Sequence, residues 1–307
     1  MSLRSIAFAA ALLVAATTAS ADQPELRLVD DGGHELQLPQ PARRIVALAP
    51  HLTELVYAAG AGNQLVAVGK YSDFPPEASS KPVISDAFAV NYEELTRLKP
   101  DLVLVWGSGT PERIKSKLRT LGMPVYEIEI RSVAGLADTL RSIGRLAGTE
   151  GVAQARAQAI SNDWATLKST YAGRKPVRVF YELWDAPLMT LDSQHLISSA
   201  ISACGGRNVF GELTTLTATV SWEVAVQRDP EIVVTGGAPG EAAKPGRWAE
   251  FPQVSAAKHG EFANIEGDLI SRSGPRFVDG ARELCVAIDR ARQGLPPPLF
   301  PTAGAAR

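Results

Sequence analysis

Apolar residues in this chain alternate between short continuous runs and helical stripes. Residues 44–48, 65–68, 102–105 and 125–128 form runs of four or five mostly apolar positions, as in strands buried on both faces of a parallel sheet. Between and after them, apolar spacing predicts helices over 54–59, 91–98, 111–121 and 133–147. A short alternation at Leu26, Leu28, Leu36 and Leu38 predicts an edge hairpin ahead of the first strand. The stretch 149–171 has no Pro and no Gly after Gly151, and predicts one helix of about 34 Å. Its predicted buried stripe is Val152, Ala155, Ala159, Ile160, Trp164 and Leu167, with Thr149 as cap and Glu150 in the first turn.

Beyond that helix the pattern restarts. Residues 177–181 predict a strand and 183–187 its loop, followed by a helix over 195–204 that Gly205-Gly206 ends. A helix over 221–228 precedes a strand over 232–235 and Gly236-Gly237. Residues 240–260 are irregular, with Trp248 and Phe251 as packing anchors, and a last helix covers 275–292.

One unit occurs twice. EELTRLKPDLVLV from Glu93 lines up with EVAVQRDPEIVVT from Glu223: each Glu stands seven residues before a proline, Pro100 or Pro230, that closes a helix and opens a strand. The predicted fold class is therefore α/β: two Rossmann-like lobes with mainly parallel sheets, joined by one long helix. The expected division is 1–21 leader, 22–148 first lobe, 149–172 connecting helix, 173–295 second lobe and 296–307 tail. Open α/β sheets bind ligands beyond the carboxyl ends of their strands, so the site is expected between the lobes.

Composition narrows the function. With 45% apolar residues and a net charge of −2, the chain has no basic excess for nucleic acid. Arg4, an apolar run to Ala16 and Ala19-Ser20-Ala21 have the form of a cleavable secretory leader. Its removal leaves 30 basic residues (31 less Arg4) against 33 acidic ones. In an oxidising compartment Cys204 and Cys285 form one disulfide or remain two buried thiols. No G-x-S-x-G, H-E-x-x-H, P-loop or G-x-G-x-x-G occurs in strand–turn–helix context, which argues against an enzyme; a periplasmic hydrolase is the distant alternative.

The stretches RIVALAPHLTEL, LKPDLVLVW, CGGRNVF and SRSGPRFVDGARELC resemble the substrate-binding proteins of metal-chelate ABC importers, the helical-hinge or class III group that serves cobalamin, haem and siderophores. Within it, KYSDFPPEA, LKPDLVLVWGSGTPER, ACGGRNVF and EGDLISRSGPR look most like the cobalamin-binding branch. The resemblance implies capture of cobalamin as transported ligand, with no resident cofactor, and delivery to a dimeric permease with its ATPase subunits at the inner membrane. It implies a soluble periplasmic monomer, and a connector made of one helix rather than flexible crossover strands predicts small lobe closure. Tyr71 and Trp106 match aromatic positions against the corrin, and Asp268 and Arg272 match a polar pair for its amide fringe. Glu93 and Glu223 match permease-docking acids, one per lobe, and Cys204 and Cys285 match a disulfide. Two positions depart: Ala87 and Thr217 stand where tryptophan is expected.

The chemistry is consistent with this. A flat macrocycle needs aromatic area and a few polar groups, and Tyr71, Phe88, Trp106 and Trp184 all fall near predicted strand ends. Asp268 and Arg272 also fit a plain surface ion pair, and Glu93 and Glu223 also fit ordinary acids favoured by a helix N-terminus. His51, placed at the end of the first strand, is an axial ligand if the cargo is haem and otherwise a packed polar residue; Arg276 is expected to support the final helix. Haem and a ferric siderophore are the alternative cargoes.

Overall fold

The computed structural model describes residues 25–294; the assigned leader (1–21) and tail (296–307) lie outside the described residues. Strands β1 (Leu26–Val29) and β2 (Glu35–Leu38) pair antiparallel and turn Leu28, Leu36 and Leu38 inward. Then follow β3 (Ile45–Ala47), α1 (Pro50–Ala58), β4 (Leu65–Gly69), β5 (Val83–Ser85), α2 (Tyr92–Leu98), β6 (Leu102–Trp106), α3 (Glu112–Thr120), β7 (Val125–Ile128) and α4 (Val133–Ala147). The five central strands form one parallel sheet, ordered β5-β4-β3-β6-β7. The order reverses between β3 and β6, which is where such sheets bind ligands.

The connecting helix α5 (Glu150–Tyr171) has the expected extent but a different buried stripe. Ala153, Ala157, Ile160 and Leu167 face inward and Trp164 packs at the margin, whereas Val152 is exposed, as are Ala155 and Ala159. The cause is a close crossing with α4: a side chain on Gly144 would lie 2.4 Å from the Ala153 Cβ, so the small pair sets the rotation of α5. Thr149 holds the cap position, but its hydroxyl is buried without a hydrogen-bond partner and does not cap.

The second lobe contains β8 (Val177–Glu182), β9 (Trp184–Asp185), β10 (Leu188–Leu191), α6 (Leu196–Ala203), β11 (Gly206–Asn208), β12 (Thr217–Thr219), α7 (Trp222–Gln227), β13 (Ile232–Gly237), α8 (Ser255–His259), β14 (Phe262–Glu266), α9 (Gly267–Ile270) and α10 (Phe277–Gln293). Four strands form a parallel sheet ordered β11-β8-β13-β14, and β12-β10-β9 form a small antiparallel sheet beside it. Trp184 thus lies on a short strand rather than in a loop, because the chain folds back after β8 and Trp184 pairs with Met189. His195 caps α6 rather than opening it: its Nδ1 accepts from Ile197 N–H at 3.2 Å.

The repeated unit folds alike in both lobes. Asn91 caps α2 by accepting from Glu94 N–H, and Ser221 caps α7 by accepting from Val224 N–H. Both helices end on a left-handed residue, Lys99 (φ 47°) or Asp229 (φ 44°), immediately before a buried proline. The acid after each proline, Asp101 or Glu231, accepts from the backbone N–H of Arg44 or Arg178, each at 2.8 Å.

One continuous apolar core runs through both lobes on the side of α5, collecting residues from β3, α1, α4, α5, β8, α6 and α10. The opposite face of each sheet has its own smaller core, one around Val46, Leu95, Val103 and Leu118, the other around Phe180, Phe210, Val233 and Trp248. A Cys204–Cys285 disulfide ties the end of α6 to α10.

Candidate functional site

At the carboxyl ends of β3–β6 the first lobe carries a partly open cavity of about 150 Å³, lined by Leu48, Pro50, Tyr71, Ala87, Val90, Trp106 and Ile114 among others. Each wall has a local cause. Tyr71, just past β4, stands in the left-handed region (φ 67°) and is 68% exposed. That conformation costs a non-glycine residue about 1–3 kcal/mol and is found where surroundings or function demand it. Lys70 Nζ lies 5.1 Å from the centre of its ring.

Trp106 is the last residue of β6. Its N–H donates to Thr110 Oγ1 at 3.1 Å, and Thr110 N–H returns to its carbonyl at 2.9 Å. Gly109 lets that turn pass under the indole, since a Cβ there would lie 1.9 Å from the Trp106 ring. Phe88, 76% exposed, tips a tight turn in which Asp86 Oδ1 accepts from Phe88 N–H and Ala89 N–H. Those backbone bonds hold the Asp86 carboxyl below its usual pKa, and Arg113 Nη2 donates to the Phe88 carbonyl at 2.7 Å.

His51 is not at the end of a strand. Pro50 suits the first position of a helix, so α1 begins early and His51 sits in its first turn. Its ring meets Trp106 edge-on at 5.2 Å, and it is 5% exposed. Burial, with the nearby Arg272 charge, lowers its pKa to about 4, so the imidazole is neutral at pH 7.

Arg272 is committed to carboxylates. It meets Asp268 at 2.9 Å, Asp73 at 2.9 Å and Glu54 at 3.2 Å. Glu54, only 2% exposed, also takes a two-pronged pair of hydrogen bonds from Arg276 at 2.7 and 3.0 Å, and the Arg276 guanidinium lies 3.9 Å from the Phe74 ring centre. Glu54 and Asp73 belong to the first lobe, the arginines to the second, so this network closes the base of the cleft. Its hydrogen bond from Arg272 lowers the Asp73 pKa.

The structure therefore brings Tyr71, Ala87, Trp106 and His51 to one place, with Phe88 on the adjacent turn. Asp268 and Arg272 form a genuine pair, but Arg272 also bridges the lobes. Trp184 is 61% exposed on the second lobe, its Nε1 donating to the Ala186 carbonyl. Glu93 and Glu223 are exposed in the first turns of α2 and α7. Sequence reasoning missed Glu54, Asp73, Asp86 and Gly109; the glycine in a GSGTPER loop directly after a strand-end tryptophan was the available signal. Asp30, His34 and Glu127 also lie within ligating distance of one another, but Lys115 and Arg119 already pair with Glu127 at 2.9 and 3.1 Å. That group fastens the first hairpin to β7.

Among the described residues no helix is long and apolar enough to cross a membrane. The vitamin B12-binding protein of Vibrio cholerae is 32% identical over 259 residues, covering 84% of this chain and 93% of the relative. That of Salmonella typhimurium is 32% identical over 250 residues, covering 81% and 91%. The crystal structure of the periplasmic vitamin B12 binding protein BtuF of Vibrio cholerae matches with TM-score 0.75 over 82% of this chain and 99% of that one, at 32% identity. A periplasmic heme-binding protein from Roseiflexus matches with TM-score 0.69 at 18% identity, over 82% of this chain and all of that one, a likeness of fold alone. The family described as periplasmic binding protein matches residues 45–263. With that span and those relatives, this chain belongs to the periplasmic binding protein family.

Proposed function

We propose that the chain captures vitamin B12 or a close corrinoid between its lobes and passes it to an inner-membrane ABC importer. The carrying observation is the set of exposed aromatic side chains at the strand ends: Tyr71, held in an unfavourable backbone conformation, beside Trp106 and Phe88. Large aromatic faces left in water at a ligand-binding edge suit a flat apolar macrocycle. Trp184 supplies the matching surface from the second lobe. The 32% identity to vitamin B12-binding proteins supports the same ligand.

The polar pair divides its work in this reading. The Asp268 side chain, 42% exposed, reaches the ligand's amide fringe, while Arg272, at 15%, holds Asp268 in place. Glu93 and Glu223, one on each copy of the repeated unit, dock on the two halves of a dimeric permease. Charges at a rim set orientation and association rate more than affinity. The protein acts as a monomeric carrier without chemistry of its own, exported by residues 1–21, with the division into 22–148, 149–172 and 173–295 as its working parts.

Titration calorimetry of the mature protein with cyanocobalamin, run beside haemin, tests the ligand. One-to-one binding of cyanocobalamin alone supports the proposal; silence with it overturns the ligand assignment. Haem is the second reading, favoured by the neutral, buried His51 against Trp106. A Soret shift with haemin that His51→Ala or Tyr71→Phe removes is its signature.

A further inference from the structure

The loop after Trp106 is held from behind the ligand face. The hydrogen bonds between Trp106 and Thr110 close that loop on itself, but a turn closed only on itself can still swing as a unit. The lobe fixes it at one peptide. Lys115 on α3 donates from Nζ to the Gly107 carbonyl at 3.1 Å, and Glu129, just past β7, accepts from Ser108 N–H at 2.7 Å. That carbonyl and that N–H belong to the same peptide unit, 107–108. The unit is planar, so a donor at one pole and an acceptor at the other fix both its place and its tilt.

Both clamps are anchored in turn. The Lys115 side chain is 9% exposed, and its ammonium meets Glu127 at 2.9 Å and Glu112 at 3.1 Å. A buried charge is unfavourable unless it is paired, but Glu127 already has Arg119 at 3.1 Å as a cation. What Lys115 adds is its bond to the Gly107 carbonyl. The backbone N–H of Glu127 donates to Asp30 at 3.1 Å, and that of Glu129 donates to Asp31 at 2.7 Å. Asp30 and Asp31 lie in the turn between β1 and β2, so the hairpin braces the edge of the sheet that holds the loop. Neither Lys115 nor Glu129 lines the cavity.

We propose that Lys115 and Glu129 are positioning residues for ligand capture: they set the tilt of the 107–108 peptide and so hold the Trp106 indole ready. The inference rests on the corrinoid reading above. A side chain already ordered in the free protein loses little further freedom on binding. An indole in place for only about a tenth of the time weakens the apparent affinity about tenfold.

The test labels the mature chain with 5-fluorotryptophan, so that its five tryptophans give five fluorine resonances, and assigns that of Trp106 from Trp106→Phe. In the ligand-free protein, Glu129→Ala should shift or broaden the Trp106 resonance and leave the other four in place. Glu129→Gln keeps an acceptor for Ser108 N–H and should restore it. Lys115→Met should reproduce the alanine result. Calorimetry with cyanocobalamin should then show binding roughly 10-fold weaker for Glu129→Ala and Lys115→Met, and near the wild type for Glu129→Gln. A Trp106 resonance unmoved by Glu129→Ala overturns the inference. So does a change spread over all five resonances, which marks a general loosening. Unchanged affinity with a moved indole overturns it, as does a Glu129→Gln chain that binds as weakly as Glu129→Ala. A wild-type chain silent with cyanocobalamin overturns the functional reading itself, and the fluorine spectra then still decide whether the clamp positions the indole.

Discussion

In the first lobe the loops beyond the strand ends hold Tyr71, Phe88 and Trp106 in solvent around an open cavity. In the second, Trp222, Trp248 and Phe251 pack on one another and on Phe180, with ring centres 5.1–5.8 Å apart. Trp248 is 1% exposed and donates to Glu182 at 2.7 Å. Both lobes use the same helix–proline–strand unit, yet the first leaves its strand-end rings in solvent, while the second packs most of its rings into a core and leaves Trp184 exposed. The disulfide, too, belongs to the second lobe. A repeated framework fixes where strand ends lie; the loops decide whether an aromatic ring there stabilises the protein or waits for a guest.

Substitutions can break this contrast. The largest effect should come from Trp248→Ala, which empties the aromatic core of the second lobe and strips Glu182 of its partner. A loss of about 3–5 kcal/mol in urea unfolding is expected, with the first-lobe cavity intact by ligand titration in native buffer. A substitution costing less than 1 kcal/mol would mean that the rings pack on a surface rather than forming a core.

His51 gives the next largest effect, through pH. Its pKa falls from 6.5 to about 4 on folding, so between those values the unfolded chain binds more protons. Its contribution is complete above pH 6.5 and is lost as pH falls to about 4, by about 3 kcal/mol at most. Denaturant unfolding at pH 7 and pH 4.5 should show that slope, and His51→Asn should flatten it. Equal slopes would place the imidazole in water.

Gly109→Ala comes third. The added methyl overlaps the Trp106 ring, so a strain of about 1–3 kcal/mol is expected, together with weaker ligand binding. Unchanged binding would show that the indole position does not matter. The smallest effect in solution belongs to Glu93→Ala with Glu223→Ala: unfolding midpoint and ligand affinity unchanged, uptake into cells lost. Loss of affinity would move those acids from the docking rim into the site.

Much of this was legible in the sequence because buried parallel strands are written as apolar runs, and the run before each glycine-bearing loop gave the strand ends. The repeat beginning at Glu93 and Glu223 was visible for the same reason, down to its prolines. What was hidden depends on contacts across distance. The inward face of α5 is set by Gly144 on another helix, which no periodicity within 149–171 encodes. His51 was misplaced because a proline beside a strand reads as a break, although proline is also a good first residue of a helix. Glu54 meets Arg272 across 218 residues of sequence, a partner that the local pattern around the Asp268–Arg272 pair does not announce. Phe88 and Trp184 were located by their neighbours in sequence, but only the Asp86 turn and the β9–β10 hairpin show how each is held out.

The core shared through α5 has a consequence for how the molecule comes apart. A molecule shaped as two bodies ordinarily melts in two steps, each half keeping its own interior. Here neither half encloses the apolar layer on the connector side, because residues from both sheets meet in it. Heat should therefore dismantle the chain in one transition, with calorimetric and van't Hoff enthalpies equal. Either half produced alone would leave a large oily face in water. The two halves differ in the loops beyond their strand ends and have in common the layer that keeps them folded.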